Sequence, residues 1–243
     1  MKVLVTGGRG TLGSRVVEGL QAEGHQALAA GRRGPIVLDL STGAGLDDAV
    51  RGVEAIVHCA SDPGGRDVRE VEVEGTARLV AAARRAGTRH LIYVSIVGVD
   101  RVPLPYYRHK LHAEKVVERG RLPWSILRAT QFFPFVEHML TSSPVLLAPR
   151  GFLVQPVAVE EVAARLVRAV DEGPAERLLE FAGPEIREVA DIARSLRRAR
   201  RLRRPILSPW LPGRRSTALR RGGLTSAGAE RGALTWESWL ASG

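Results

Sequence analysis

Tyr106-Tyr107-Arg108-His109-Lys110 sets a phenol and an ammonium four residues apart, on the same side if the stretch is helical. The spacing has a chemical use. A phenol with a pKa of about 10 is a poor acid or base at neutral pH, and an adjacent ammonium favours its ionised form. Pro105 just ahead of the pair is suited to a helix start.

A second cluster lies at the beginning of the chain, Thr6-Gly7-Gly8-Arg9-Gly10-Thr11-Leu12-Gly13. It can be read as Gly8-x-Gly10-x-x-Gly13 or as Gly7-x-x-Gly10-x-x-Gly13. Both spacings let backbone turn tightly and approach a pyrophosphate, whose charge then meets the free N–H groups of a helix start. Sites for an unphosphorylated ribose place an acid roughly 20 residues on, where it accepts from the 2′-hydroxyl. Here that place holds Arg32-Arg33. A guanidinium can pair bidentately with a 2′-phosphate, and Arg9 offers a second cation, so the pattern favours NADP(H) over NAD(H). Lys110 could also hold the nicotinamide ribose, and Asp39 would border the adenine.

The elements that position these groups alternate. Val3–Val5 reads as a buried strand, and Val16, Val17 and Leu20 carry helix-period apolar residues behind the glycines. Further strands are expected at 25–30, 35–40, 54–59, 89–95 and 124–128, with helices near 46–50, 66–86, 106–118 and 159–170. A basic helix at 185–201 and an amphipathic piece at 235–240 complete the tail. Strand–helix alternation predicts an α/β, Rossmann-type doubly wound parallel sheet. No repeat or linker marks a boundary, so the chain is expected to form a single domain over 1–243. Residues 130–160 and 183–243 would supply a small C-terminal substrate-binding portion.

Composition bounds the rest. The chain has 243 residues, 44% hydrophobic, with a formal net charge of +10 carried almost wholly by arginine. No apolar run approaches the roughly 20 residues of a membrane span, and no signal-peptide core is apparent. A lone cysteine, Cys59, excludes an internal disulfide framework and suits a reducing cytoplasm. No histidine pairs with cysteine or acid at zinc spacing, so no metal site is expected. The arginine run 194–204 spreads around its helix without interleaved aromatics, arguing against specific nucleic-acid binding. The expected partner is a small-molecule substrate, the expected state a monomer or homodimer.

Taken together, the glycine stretch, His58-Cys59-Ala60-Ser61, Tyr93-Val94-Ser95, Tyr106 with Lys110, and Leu127-Arg128-Ala129-Thr130-Gln131-Phe132 resemble the short-chain dehydrogenase/reductase superfamily. The similarity is to its atypical, NmrA-like NAD(P)H-binding branch and spans about residues 1–185. The resemblance implies that Gly7, Gly10, Thr11, Leu12 and Gly13 cradle the pyrophosphate and Arg32 the 2′-phosphate. It places Asp39 and Leu40 by the adenine, and Cys59, Ala60 and Ser61 by the ribose. Tyr106 would be the proton donor, Lys110 its activator, and Thr130, Gln131 and Phe132 would touch nicotinamide and substrate. The superfamily's serine falls one place past Ser95, at Ile96, which leaves Ser95 or Tyr106 alone to polarise substrate. The implied activity is an NADPH-dependent reductase acting on a small, apolar carbonyl, quinone or aromatic compound. The branch also contains NADP-sensing regulators without turnover, and epimerase- or dehydratase-like enzymes belong to the wider superfamily.

Overall fold

The structure is a computed structural model that describes residues 1–62, 64 and 68–242. The first half of the chain forms β1 (Lys2–Thr6), α1 (Thr11–Ala22), β2 (Gln26–Gly31), β3 (Ile36–Val37), α2 (Leu46–Ala49) and β4 (Ala55–His58). A π-helical turn (Glu70–Gly75), α3 (Thr76–Arg85), β5 (His90–Ile96), α4 (Pro105–Glu118) and β6 (Trp124–Ala129) follow. Then come α5 (Phe133–Thr141), β7 (Leu146–Leu147), β8 (Leu153–Val154), α6 (Val159–Glu172) and β9 (Leu178–Ala182). The tail holds β10 (Arg187–Glu188), α7 (Val189–Ala199), β11 (Ile206–Leu207), α8 (Arg214–Arg220), β12 (Glu230–Arg231) and α9 (Trp236–Ala241).

Eight strands form one sheet in the order β12-β9-β6-β5-β4-β1-β2-β3. Strand β1 pairs in parallel with β2 and β4, β2 with β3, β4 with β5, and β9 with β12. This is the Rossmann-type α/β sheet expected from the alternation. The central strands are buried throughout: Val3, Leu4, Val5, Ile56, Val57, Leu91 and Ile92 are fully covered. Continuous apolar runs are what strands covered on both faces require.

By its contacts the chain forms two compact units. One comprises residues 1–95, 105–128 and 160–179, the other 96–104, 129–159 and 180–243. Each has its own core. In the first, Leu4, Ile56, Leu79, Leu91, Tyr93, Val117 and Ile126 pack together. In the second, Phe133, Val136, Leu140, Leu146, Ile192, Leu196 and Trp236 do so, with Phe133, Trp236 and Trp239 in mutual ring contact.

Local departures from the sequence expectations have local causes. The third strand contracts to Ile36–Val37, because Asp39 turns back to accept from Ser41. The irregular stretch after Thr130 contains α5, started by Pro134 in the first helical turn, where its missing N–H costs nothing. The basic helix begins at Val189 rather than Glu185, because Arg187 and Glu188 join an antiparallel ladder with Val154 and Leu153. The start of the expected 66–86 helix, Arg66 and Asp67, lies outside the described residues.

Candidate functional site

Strand order reverses direction between β1 and β4, and ligands of open parallel sheets bind in the crevice beyond the carboxyl ends at such a point. In the first unit this crevice is a cleft of about 820 Å³. Its lining comes from the ends of β1 (Thr6, Gly7, Arg9, Gly10), β2 (Gly31, Arg32, Arg33) and β4 (Cys59, Ala60, Ser61, Asp62), and from Leu38–Ser41.

The glycines are there for closeness. Gly7 has φ +66°, and a Cβ on it would sit 2.8 Å from Ala60 Cα. A Cβ on Gly13 would fall 2.2 Å from the Gly7 carbonyl oxygen, so the β1–α1 turn closes only without side chains. Gly10 N donates to Gly7 O at 2.8 Å. Helix α1 starts from Gly10 with no side-chain cap and no acid in its first turn. Its leading N–H groups and positive dipole end are thus left for an anion. Arg9, Arg32 and Arg33 are exposed along the same cleft. Asp39 is held below its usual carboxylate range, first by the Ser41 hydroxyl, and Arg32 acts in the same direction. The turn, the uncapped helix and the three guanidinium groups together fit the phosphates of a nicotinamide dinucleotide.

Beside the cleft lies a polar cluster of the first unit, centred on the buried Glu72 of the π-helical turn. Glu72 is 1% exposed and Lys110 4%. Glu72 Oε1 accepts from Ser61 Oγ, from Tyr106 OH at 3.2 Å and from Asp62 N at 3.2 Å. Its Oε2 lies 3.4 Å from Lys110 Nζ and accepts from Tyr93 OH at 3.5 Å. Tyr106 OH and Ser61 Oγ are 2.5 Å apart. Lys110 Nζ donates to Val94 O at 2.8 Å and sits 4.2 Å from the Tyr93 ring centroid.

Burial sets the proton affinities here. It pushes the Tyr106 phenol well above its ordinary range, and the Glu72 charge adds to the push. Burial lowers the Lys110 ammonium, against the opposing pull of Glu72. For Glu72 burial acts upward, yet Lys110 and the Ser61 hydroxyl outweigh it and hold the carboxyl below its ordinary value. Underneath, His58 is clamped between Thr6 Oγ1 at 2.7 Å and Thr76 Oγ1 at 3.0 Å. Desolvation, then Lys110, lowers its pKa to about 3, so it is neutral. Burial pushes the Cys59 thiol up to about 12, which leaves it a packed residue rather than a nucleophile.

Tyr106, Lys110 and Ser61 are thus brought together, with Ser61 also on the cleft wall. Ser95 Oγ is buried and has no hydrogen-bond partner among the described residues. Thr130 and Gln131 belong to the second unit. There Gly183 N donates to Thr130 Oγ1 at 3.2 Å, and Gln131 bonds Leu224 O and Gln155 N at 3.2 Å each. Phe132 precedes α5 and bridges Val157. Glu72 is the residue that sequence reasoning passed over. Its spacing to Thr76, Leu79 and Ala83 marks it as part of the buried stripe. A π turn, wider by one residue, rotates the positions before Thr76 around the helix and carries Glu72 inward.

Residues 7–173 match the NAD(P)H-binding family. The chain belongs to that family. Among curated relatives, a chloroplastic divinyl chlorophyllide a 8-vinyl-reductase of Oryza sativa subsp. indica is 33% identical, across 75% of this chain and 54% of that protein. The chain therefore spans about half the length of this relative. Among solved structures, an NADPH-dependent quinone oxidoreductase from Escherichia coli complexed with NADPH superposes with a TM-score of 0.80 at 18% identity. That match covers 99% of both chains. A short-chain dehydrogenase/reductase superfamily protein from Agrobacterium tumefaciens with bound NAD superposes with a TM-score of 0.78 at 22% identity, covering 100% of this chain and 95% of that one. These two likenesses describe the fold of the NAD(P)H-binding chain. Among the described residues no helix is long and apolar enough to cross a membrane.

Proposed function

We propose that the chain is an NADPH-dependent reductase of a small, apolar carbonyl, quinone or aromatic substrate. The observation that carries this reading is the Tyr106 hydroxyl, 2.5 Å from a serine hydroxyl that lines the cofactor-type cleft. A proton source at the edge of a dinucleotide cleft is what reduction of a polarised bond needs.

When bound, NADPH supplies the hydride. Gly7, Gly10, Thr11, Leu12 and Gly13 would receive its pyrophosphate, Arg32 its 2′-phosphate with Arg9 and Arg33 alongside, and Asp39 and Leu40 would flank the adenine. Cys59, Ala60 and Ser61 would line the ribose. Tyr106 donates its proton to the oxygen on which charge develops, and Lys110 supports the nearby polar groups with its buried charge. Ser95, whose buried hydroxyl has no partner among the described residues, is the other candidate in the first unit for polarising the substrate.

The test is NADPH oxidation followed by absorbance against a panel of aldehydes, ketones, quinones and conjugated aromatics, with product analysis. Turnover that Tyr106→Phe abolishes while NADPH affinity is kept supports the reductase. Tight NADPH binding with no oxidation by any acceptor would sink it and favour a cofactor sensor. Product formed without net NADPH consumption would point to an epimerase-like reaction instead.

A further inference from the structure

We propose that Glu72 is a positioning residue that keeps Tyr106 a committed proton donor, so that the site delivers protons rather than collecting them. This rests on the reductase reading and concerns which way its proton moves. In a plain tyrosine–lysine pair the ammonium is the phenol's dominant neighbour and draws out the phenolate. Here the carboxylate intervenes. Tyr106 OH donates to Glu72 Oε1 at 3.2 Å, while the Lys110 ammonium is committed to Val94 O at 2.8 Å and to the other Glu72 oxygen. Ser61 donates to the same Oε1 that receives Tyr106. One carboxylate oxygen thus lies within hydrogen-bond reach of both hydroxyls, which are themselves 2.5 Å apart.

The groups around the Tyr106 hydroxyl and its Glu72 partner come from several elements. They are Ser61 and the Asp62 backbone after β4, Glu72 on the π turn, Tyr93 on β5, and Tyr107 and Lys110 on α4. Glu114, a turn beyond Lys110, adds negative charge behind it, tied to Arg128. His58 is neutral, and the Cys59 thiol is protonated. Among these, Glu72 is the charge in direct contact with the phenol. A π-helical turn, costly and uncommon in a helix, is what brings it there.

The proton path balances as follows. A carbonyl carbon that accepts hydride from NADPH leaves its oxygen negative, and that oxygen takes the proton from the Tyr106 O–H bond. The resulting phenolate lies against a carboxylate, so it recovers a proton promptly from solvent water through the Ser61 hydroxyl, which is exposed in the cleft. The products are the alcohol and NADP⁺, and the enzyme is restored.

The experiment uses the full chain with its tyrosines replaced by difluorotyrosine, whose fluorines acidify the phenol and give each ring a fluorine resonance. Tyr106→Phe identifies the Tyr106 signal. Glu72→Gln is expected to lower the pH at which this signal ionises by roughly one to three units, the usual effect of a like charge in contact. Glu72→Asp, which restores the charge, is expected to return it towards the parent value. The double variant Glu72→Gln/Lys110→Met leaves no unpaired buried charge and answers if Glu72→Gln fails to fold. Its Tyr106 should still ionise at lower pH than in the parent chain. An unchanged or higher ionisation pH in the double variant would mean that Lys110 governs the phenol, and would overturn the assignment. The alkaline limb of kcat/KM for NADPH oxidation should move with the fluorine signal. A shift of the signal in a chain that oxidises no NADPH would remove the reductase reading and leave the Glu72–Tyr106 coupling standing. Turnover with an unmoved signal would remove only the coupling.

Discussion

Arg128→Met should destabilise the protein far more than the loss of an ordinary surface ion pair. Arg128 on β6 holds Glu114 on α4 through two bonds, Nε to Oε1 at 2.8 Å and Nη2 to Oε2 at 2.6 Å. The two side chains are 7% and 2% exposed. Removing the guanidinium leaves a carboxylate buried with its main counter-ion gone. The cost of breaking such a pair is about 3–5 kcal/mol. At about 2–4 °C per kcal/mol for a chain of this size, Tm should fall by roughly 6–20 °C. The pair also anchors the helix that carries Tyr106 and Lys110, so cofactor-dependent activity should decline below the new Tm as α4 loosens. Arg128→Met/Glu114→Leu, which replaces both charges with apolar side chains, should recover most of the lost stability, since burying the pair was itself costly. Arg15→Ala is the internal control. Its partner Glu18 and Arg15 itself are 60% and 49% exposed, and the substitution should barely move Tm, because solvent screens such a pair. Thermal unfolding by circular dichroism measures all three. An Arg128→Met cost no larger than that of Arg15→Ala, or a double variant as damaged as the single one, would refute the argument that the lone buried charge sets the penalty.

Arg32→Glu should weaken NADPH binding much more than NADH binding, because it swaps a cation for an anion where a 2′-phosphate would sit; equal losses in titration calorimetry would remove that assignment. His58 is held neutral in the fold, its pKa lowered from 6.5 to about 3, and His90 is lowered to about 4 by burial. Between those values and 6.5 the unfolded chain binds more protons than the folded one, so stability is full above 6.5 and drains as pH falls. Urea titrations of a His58→Gln/His90→Gln variant should show a flatter dependence over that window, and an unchanged slope would place the acid sensitivity elsewhere. Cys59 is half-buried on the cleft wall, and with its thiol pushed up to about 12 it should be alkylated by iodoacetamide at pH 8 more slowly in the folded protein than in the unfolded one; equal rates would contradict the raised thiol pKa.

The cofactor cleft was legible in the sequence because its parts are local. A glycine turn between Val5 and Val16 must lie at a strand–helix junction, and Arg32 must follow the next strand, whichever way distant elements pack. The fold class was legible for the same reason: each apolar run carries its own period. Positions whose role depends on pairing across the chain were not. Ladder pairing with β8 moved the start of α7 to Val189, and Asp39 shortened β3 by turning to Ser41. Tyr106 and Lys110 stand out by spacing, yet which group faces the phenol is decided by Glu72, 34 residues earlier, and by Ser61, 45 residues earlier. In one dimension Glu72 is simply an acid in a charged helix. Only after the π turn rotates it inward and β5 and α4 close around it does desolvation make its charge strong enough to set its neighbours' protons. Short-range rules determine turns, caps and periods; the electrostatics of a buried site belong to tertiary structure, because they come from excluding water among residues that the sequence keeps far apart.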